Sequence, residues 1–262
     1  MTALPVEPSL RAARDKGGKI LVPYMTGGLG EGWTEVLRAM AESGADAVEV
    51  GIPFSDPMMD GPTIQAASAR ALALGATPAG ILASLAPVAD SLGIPLVAMT
   101  YFNLVAHGGC ARFAAELRSA GVGGAIVADL SLEELPPWES AALGEGVETV
   151  LLAAPTTPDD RLAALCARSH GFVYGVNLMG VTGERSHLAA SGPALARRLK
   201  ATTDKPVLMG FGISSASQAV EAAAEADGVV VASALMRVVL DGGGASEVGA
   251  MVSDLRRALD RG

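Results

Sequence analysis

The stretch Asp46-Ala47-Val48-Glu49-Val50-Gly51-Ile52-Pro53 reads as a strand buried on both faces and closed by a proline. Side chains alternate along an extended chain, so Val48, Val50 and Ile52 point one way and Ala47, Glu49 and Gly51 the other. The bulky aliphatic face suits packing against helices. The opposite face, one acid between two small residues, suits the inside of a closed sheet, with space left around Glu49.

Seven further short, nearly continuous aliphatic runs flank this one: Ile20–Met25, Pro95–Tyr101, Ala125–Leu130, Glu148–Ala153, Phe172–Asn177, Pro206–Gly210 and Gly228–Val231. Helical spacing fills the gaps between them. Ile81, Leu85, Val88 and Leu92 form one stripe; Val248, Met251, Val252, Leu255 and Leu259 form another, with Glu247, Asp254 and Arg257 off it. Thr157-Pro158-Asp159-Asp160 offers an N-cap, a first-turn proline and early acids, and Ser214 or Ser215 a second cap. Eight strands alternating with helices in 262 residues predict an α/β fold, a (β/α)8 TIM barrel, as one domain spanning 1–262. The rival is a doubly wound open sheet. Its dinucleotide fingerprint is missing, because Gly27-Gly28-Leu29-Gly30 has the wrong spacing.

Composition narrows the function. The chain is 50% hydrophobic and 18% charged, enough for a large aliphatic core and against intrinsic disorder. Its net charge is −9 and its pI about 4.8, without a basic patch, which argues against nucleic acid as a partner. The longest run free of Asp, Glu, Lys and Arg, Ser91–Ala111, is interrupted by Gly93, Pro95, Asn103, Gly108 and Gly109 and is a poor membrane span. Glu7 and two prolines precede any apolar run, which is no signal peptide, so a cytoplasmic protein without membrane contact is expected. Cys110 and Cys166 make no disulfide or metal framework.

A barrel places its chemistry at the C-terminal ends of the strands. Glu49, half-surrounded by aliphatics, is expected to have its pKa pushed upward, as a group alternating between acid and base near neutrality requires. A structural ion pair is the bland alternative, but no Lys or Arg lies between Arg38 and Arg70. Asp56 and Asp60 follow in the next loop. Each also has a plain reading as a turn residue or cap, since Pro57 follows the first and Gly61-Pro62 the second. Asp129 ends the fourth strand run; Tyr101-Phe102-Asn103 and Tyr174 stand at the ends of the third and sixth. Gly210-Phe211-Gly212 after the seventh run and Ala232-Ser233 after the eighth fit the phosphate-binding end of such barrels.

Lys16, Lys19, Lys200 and Lys205 all precede strands at the opposite rim, which argues against Schiff-base chemistry. His170 precedes its strand as well. Only His107 and His187 fall at the catalytic end, so of zinc chemistry only a two-histidine-plus-acid site stays open, and no metal is expected. Carboxylate acid/base chemistry on a phosphorylated substrate remains.

The run from Val48 to Pro57, continuing through Asp60-Gly61-Pro62-Thr63-Ile64-Gln65, resembles the signature of the tryptophan synthase alpha chain family. Tyr101 to Val105, Val127-Ala128-Asp129, Gly180-Val181-Thr182-Gly183 and Gly210 to Ser214 extend the resemblance along essentially the whole chain. It implies retro-aldol cleavage of indole-3-glycerol phosphate to indole and glyceraldehyde 3-phosphate, with no metal or organic cofactor. By resemblance, Glu49 carries the proton transfers and Asp60 binds the indole N–H. Tyr174, with Leu21, Leu96 and Ile126 nearby, would line the indole pocket. Thr182 would belong to a lid, Leu178–Leu188, closing against Asp60, and amides around Gly183, Gly212 and Ser233 would hold the phosphate.

The family partner is a pyridoxal-phosphate beta chain in an αββα tetramer. Pro53 to Pro57, including Asp56, and Asn103 to Gly108 would meet it, with Asp56 and Asp129 coupling the two sites. Ala232 departs from a usual glycine, Asn177 from a usual serine, and His187 adds an ionisable group to the lid. A stand-alone lyase releasing free indole, a weakly catalytic allosteric subunit and a phosphate-barrel isomerase are the competing readings.

Overall fold

The computed structural model describes residues 3–176, 185–210 and 212–262. Its eight strands are β1 (Ile20–Thr26), β2 (Val48–Gly51), β3 (Leu96–Thr100), β4 (Gly124–Val127), β5 (Glu148–Ala153), β6 (Val173–Val176), β7 (Val207–Gly210) and β8 (Gly228–Val231). They follow one another in chain order around a closed barrel. β1 and β8 close it in parallel, Ile20 opposite Gly228 and Val22 opposite Val230. No edge strand is left, so the open-sheet alternative falls.

Several strands are shorter than expected, for local reasons. Pro95 and Pro206 lack the N–H a ladder needs and stand just outside β3 and β7. β4 stops at Val127, where a turn from Leu130 N to Val127 O (3.2 Å) takes over. Asp129 therefore lies in the loop and not at the strand end. Asn177 lies outside the described residues.

The alternation produces an apolar core inside the barrel and, among the described residues, two more between strands and helices. Ala47, Val97, Ile126, Val150, Phe172 and Leu208 fill the barrel interior, closed from below by Val6 and Leu10 of a helix, Val6–Asp15, that the sequence reading did not anticipate. Val48, Val50 and Ile52 pack outward with Ile81 and Leu85 of the helix Pro78–Leu92. β2 is thus oriented as its sequence predicted, bulky side out and Glu49 in. The expected stripe on the last helix, Ala245–Leu259, is buried at Val248, Val252, Leu255 and Leu259, with Met251 half-buried. Each such side chain is worth about 1.5–3 kcal/mol of burial. Ser215 caps the helix Ala216–Ala223, whereas Thr157 turns its hydroxyl back to Ala154 N (3.0 Å) and leaves the helix Asp159–Arg168 without a side-chain cap.

Three of the four lysines serve as pins at the N-terminal rim. Lys19 donates to Ala223 O and Ala226 O (2.8 Å each), Lys200 to Asp227, and Lys205 to Cys166 O and Ser169 O. Among the described residues no single helix is long and apolar enough to cross a membrane; the helices Pro62–Ala73 and Pro78–Leu92 reach that composition only jointly, across a 95° bend.

Candidate active site

Glu49 sits opposite Tyr24 of β1 and Val97 of β3 in the parallel ladder. It is 1% exposed, and its Oε2 has no hydrogen-bond partner among the described residues. Burial chiefly, and the neighbouring Asp60 second, push its carboxyl up to about 8. Among the described residues no cation contributes to that balance, so none of them makes Glu49 an ion pair. A carboxyl so placed is protonated at neutral pH and within reach of ionisation, the state a proton carrier needs.

The space around Glu49 is shared. A Cβ at Gly51 would collide with the ring and hydroxyl of Tyr24, and one at Gly210 with the ring of Tyr174. These two inward glycines admit the two tyrosine rings beside the acid. The room anticipated at Gly51 is thus occupied by an aromatic side chain.

Asp60 arrives by the loop after β2. Pro62 opens the helix Pro62–Ala73 with Gly61 at its N-cap, and no side chain caps that helix. Asp60 N donates to Pro57 O (3.1 Å), and Gln65 Nε2 donates to Asp60 O (2.8 Å), which fixes the backbone on both sides. The carboxyl is then free to face the cavity instead of capping. Burial raises it to about 6, against the opposing effect of a hydrogen bond from Tyr101. Tyr101 accepts from Met59 N (3.0 Å) and stacks on Phe54, ring centroids 5.2 Å apart, so one aromatic anchors the loop and serves the acid.

Glu49 and Asp60 open onto one cavity of about 350 Å³, within the usual range for a small ligand. Tyr24, Met99, Leu152, Tyr174 and Val176 form its apolar wall. Tyr174, which the resemblance puts at the pocket, is part of this wall. Leu21 and Leu96 are not: both lie one residue out of phase, in the layer between barrel and helices. Ile126 is inside the barrel, packed in the interior core, but is not part of the cavity wall. The parity that put Glu49 inside also puts Tyr24 and Val97 inside once the register is known. That signal finds Tyr24 and, two residues beyond Val97, Met99.

The cavity is also lined by Gly210, Gly212, Ala232 and Ser233. Gly212 has φ +60°, a conformation that disfavours any side chain, and Ser233 is the first residue of the helix Ser233–Leu240. The N–H groups of that helix end and its dipole favour an anion. Ala232 has φ −116°, open to any residue, so its methyl strains no backbone. Arg237 of the same helix donates to Thr63 Oγ1 (2.7 Å) and ties the anion end to the helix that follows Asp60.

The remaining expected residues divide into three groups. Asp56 is exposed on the loop after β2 and Asn103 is exposed on the helix Phe102–Gly108, while Pro57 is half-buried and Pro53 is buried. Asp129 is exposed too, and its carboxylate accepts from Phe102 N (2.7 Å), bonding the first turn of the helix Phe102–Gly108. Thr182, Gly183, Asn177, Phe211 and the expected lid up to residue 184 lie outside the described residues, as does the side chain of His187. His107 is exposed on the helix Phe102–Gly108, away from the cavity wall. Among the described residues no three His, Cys, Asp or Glu side chains gather as metal ligands would.

Known proteins resemble the chain throughout. Residues 10–256 match the family model described as tryptophan synthase alpha chain. The tryptophan synthase alpha chain of Streptomyces coelicolor is 41% identical over 257 residues, covering 96% of this chain and 95% of the relative. That of Thermobifida fusca is 44% identical over 237 residues, covering 88% and 87%. A structure of tryptophan synthase from Mycobacterium tuberculosis superposes with a TM-score of 0.90 at 36% identity, covering 99% of this chain and 100% of that one. The alpha subunit from Legionella pneumophila gives 0.88 at 30%, covering 100% and 99%.

Proposed function

The chain belongs to the tryptophan synthase alpha chain family, and from that premise we propose that Glu49 and Asp60 perform its reaction between them. The enzyme is a carbon–carbon lyase of tryptophan biosynthesis, cleaving indole-3-glycerol phosphate to indole and glyceraldehyde 3-phosphate. What supports this assignment is the meeting of two carboxyl groups of unlike acidity in one cavity, with no cation among the described residues to neutralise either.

Glu49, protonated at neutral pH, gives its proton to the indole C3. Positive charge then develops at the ring nitrogen, where the ionised Asp60 accepts the indole N–H and offsets that charge. The Glu49 carboxylate takes the proton of the glycerol hydroxyl next to C3. The carbonyl of glyceraldehyde 3-phosphate forms, the carbon–carbon bond breaks, and its electron pair restores the indole ring. Glu49 ends protonated, as it began, so the cycle closes without an outside proton carrier.

Tyr174, Met99 and Leu152 pack the indole faces. The amides around Gly212 and Ser233, with Thr182 and Gly183 by family resemblance, take the phosphate. The chemistry asks for no organic cofactor from this chain; pyridoxal phosphate belongs to the proposed partner, a beta chain in an αββα tetramer. The loop from Pro53 to Pro57 and the helical segment from Asn103 to Gly108 follow the C-terminal ends of β2 and β3 and are the proposed contact, with Asp56 and Asp129 relaying between sites. Incubation with indole-3-glycerol phosphate tests the reaction: indole must appear, and a cognate beta chain must accelerate it. Indole formation that a beta chain leaves unchanged favours a stand-alone lyase; none at all overturns the assignment.

A further inference from the structure

Tyr24 has no role in the chemistry just described, yet it occupies the site. It is the register partner of Glu49 across β1 and β2, so both side chains enter the barrel from adjacent strands at one level. Its ring passes over Gly51, where any Cβ would strike the hydroxyl. Thr26, itself fully buried, donates from Oγ1 to Tyr24 Oη through a long bond of 3.3 Å. With that lone pair engaged, the phenol keeps its own hydrogen to donate. Of the charges that act on it, Asp60 has the larger effect and Glu49 the next.

We propose that Tyr24 is a positioning residue for the two carboxyl groups, its hydroxyl oriented by Thr26 so that its proton points at the Glu49–Asp60 pair. The need arises once Glu49 has given up its proton and two carboxylates face each other out of water. The groups around Glu49 are Tyr24 from β1, Asp60 from the loop after β2, Tyr174 from β6, and the apolar Val97 and Met99 from β3; Tyr101 adjoins Asp60. None is a cation, so hydrogen-bond donors alone can offset the pair's charge. Tyr101 already serves Asp60, while Glu49 Oε2 lacks a donor among the described residues. Burial holds the Tyr24 phenol well above its ordinary range, so it stays a protonated donor throughout.

This inference rests on Glu49 and Asp60 being the reacting pair, and its test separates the two. Tyr24→Phe keeps the ring over Gly51 and removes only the hydroxyl. In the wild type, kcat/KM for indole-3-glycerol phosphate should rise as Asp60 ionises and fall as Glu49 does. A donor to the charged forms lowers both pKa values, so its loss moves both limbs upward, by about one pH unit for a hydrogen bond to a charged group. Thr26→Val should move them the same way by less, and should add nothing in the Tyr24→Phe background. Limbs unmoved in Tyr24→Phe, whatever happens to the rate, overturn the inference, as do fully additive effects of the two variants. Wild-type turnover by Glu49→Gln would instead overturn the reading beneath it.

Discussion

The two rims of the barrel treat their acids differently. At the N-terminal rim each is held by a cation or a backbone amide. Asp227 takes both oxygens to Lys200 Nζ (2.8 Å each) and accepts from Val207 N (2.8 Å). Asp46 accepts from Leu21 N (2.8 Å) and Arg256 (3.3 Å), and Glu148 from Glu7 N (2.8 Å). At the C-terminal rim burial pushes Glu49 and Asp60 up, as it does Asp46 and Glu148, but among the described residues no cation and no backbone amide holds the Glu49 carboxyl. One rim holds the fold, and the other keeps its acids unneutralised so that protons can move. Stability and chemistry are thereby assigned to different ends of the same strands.

The largest effect that would break this contrast is catalytic. Glu49→Gln or Asp60→Asn should lower indole formation by about three orders of magnitude or more, since each removes a group acting at the transition state. Steady-state assays check it, and near-normal turnover in either variant would erase the distinction between the rims. The reverse substitution at the other rim comes next. Asp227→Ala leaves Lys200 and Val207 N without their acceptor and should cost about 2 kcal/mol, less than a fully buried pair because Lys200 is partly exposed. Thermal melts should show the loss while kcat per folded molecule stays within about twofold.

A subtler expectation concerns Glu49 and stability. Its folded pKa of about 8 lies above the ordinary value of 4.5. The folded state therefore resists losing this proton, and stability falls as pH rises from the unfolded value through the folded one. Glu49→Gln has no such proton, so above pH 8 it should be more stable than the wild type by on the order of a few kcal/mol, and no more stable near pH 4. Melting temperatures at the two pH values check the sign. The smallest effect is at the anion end: Ala232→Gly should change KM by less than about tenfold, because φ −116° already suits either residue.

The fold was legible because parallel strands buried on both faces leave eight aliphatic runs, and closing the barrel needs only their count and length. Glu49 was legible because a single acid interrupts such a run. Asp60 was not, since the choice between cap and cavity depends on the Pro57–Gln65 backbone bonds that aim it. Leu21 and Leu96 went astray because in-or-out parity must be fixed strand by strand, and only the register relates β1 and β3 to β2. The same missing register hid Tyr24. Asp129 falls two residues past β4, and its bond from Phe102 N, 27 residues away, is a contact no local pattern announces.

The central claim is that Glu49 remains an unneutralised, buried acid. Carbon-13 NMR titration of side-chain-labelled glutamates tests it directly, with Glu49→Gln supplying the assignment. One carboxyl resonance should titrate near pH 8 and vanish in the variant. If every glutamate titrates below about pH 5.5, inside the ordinary range, the account is wrong.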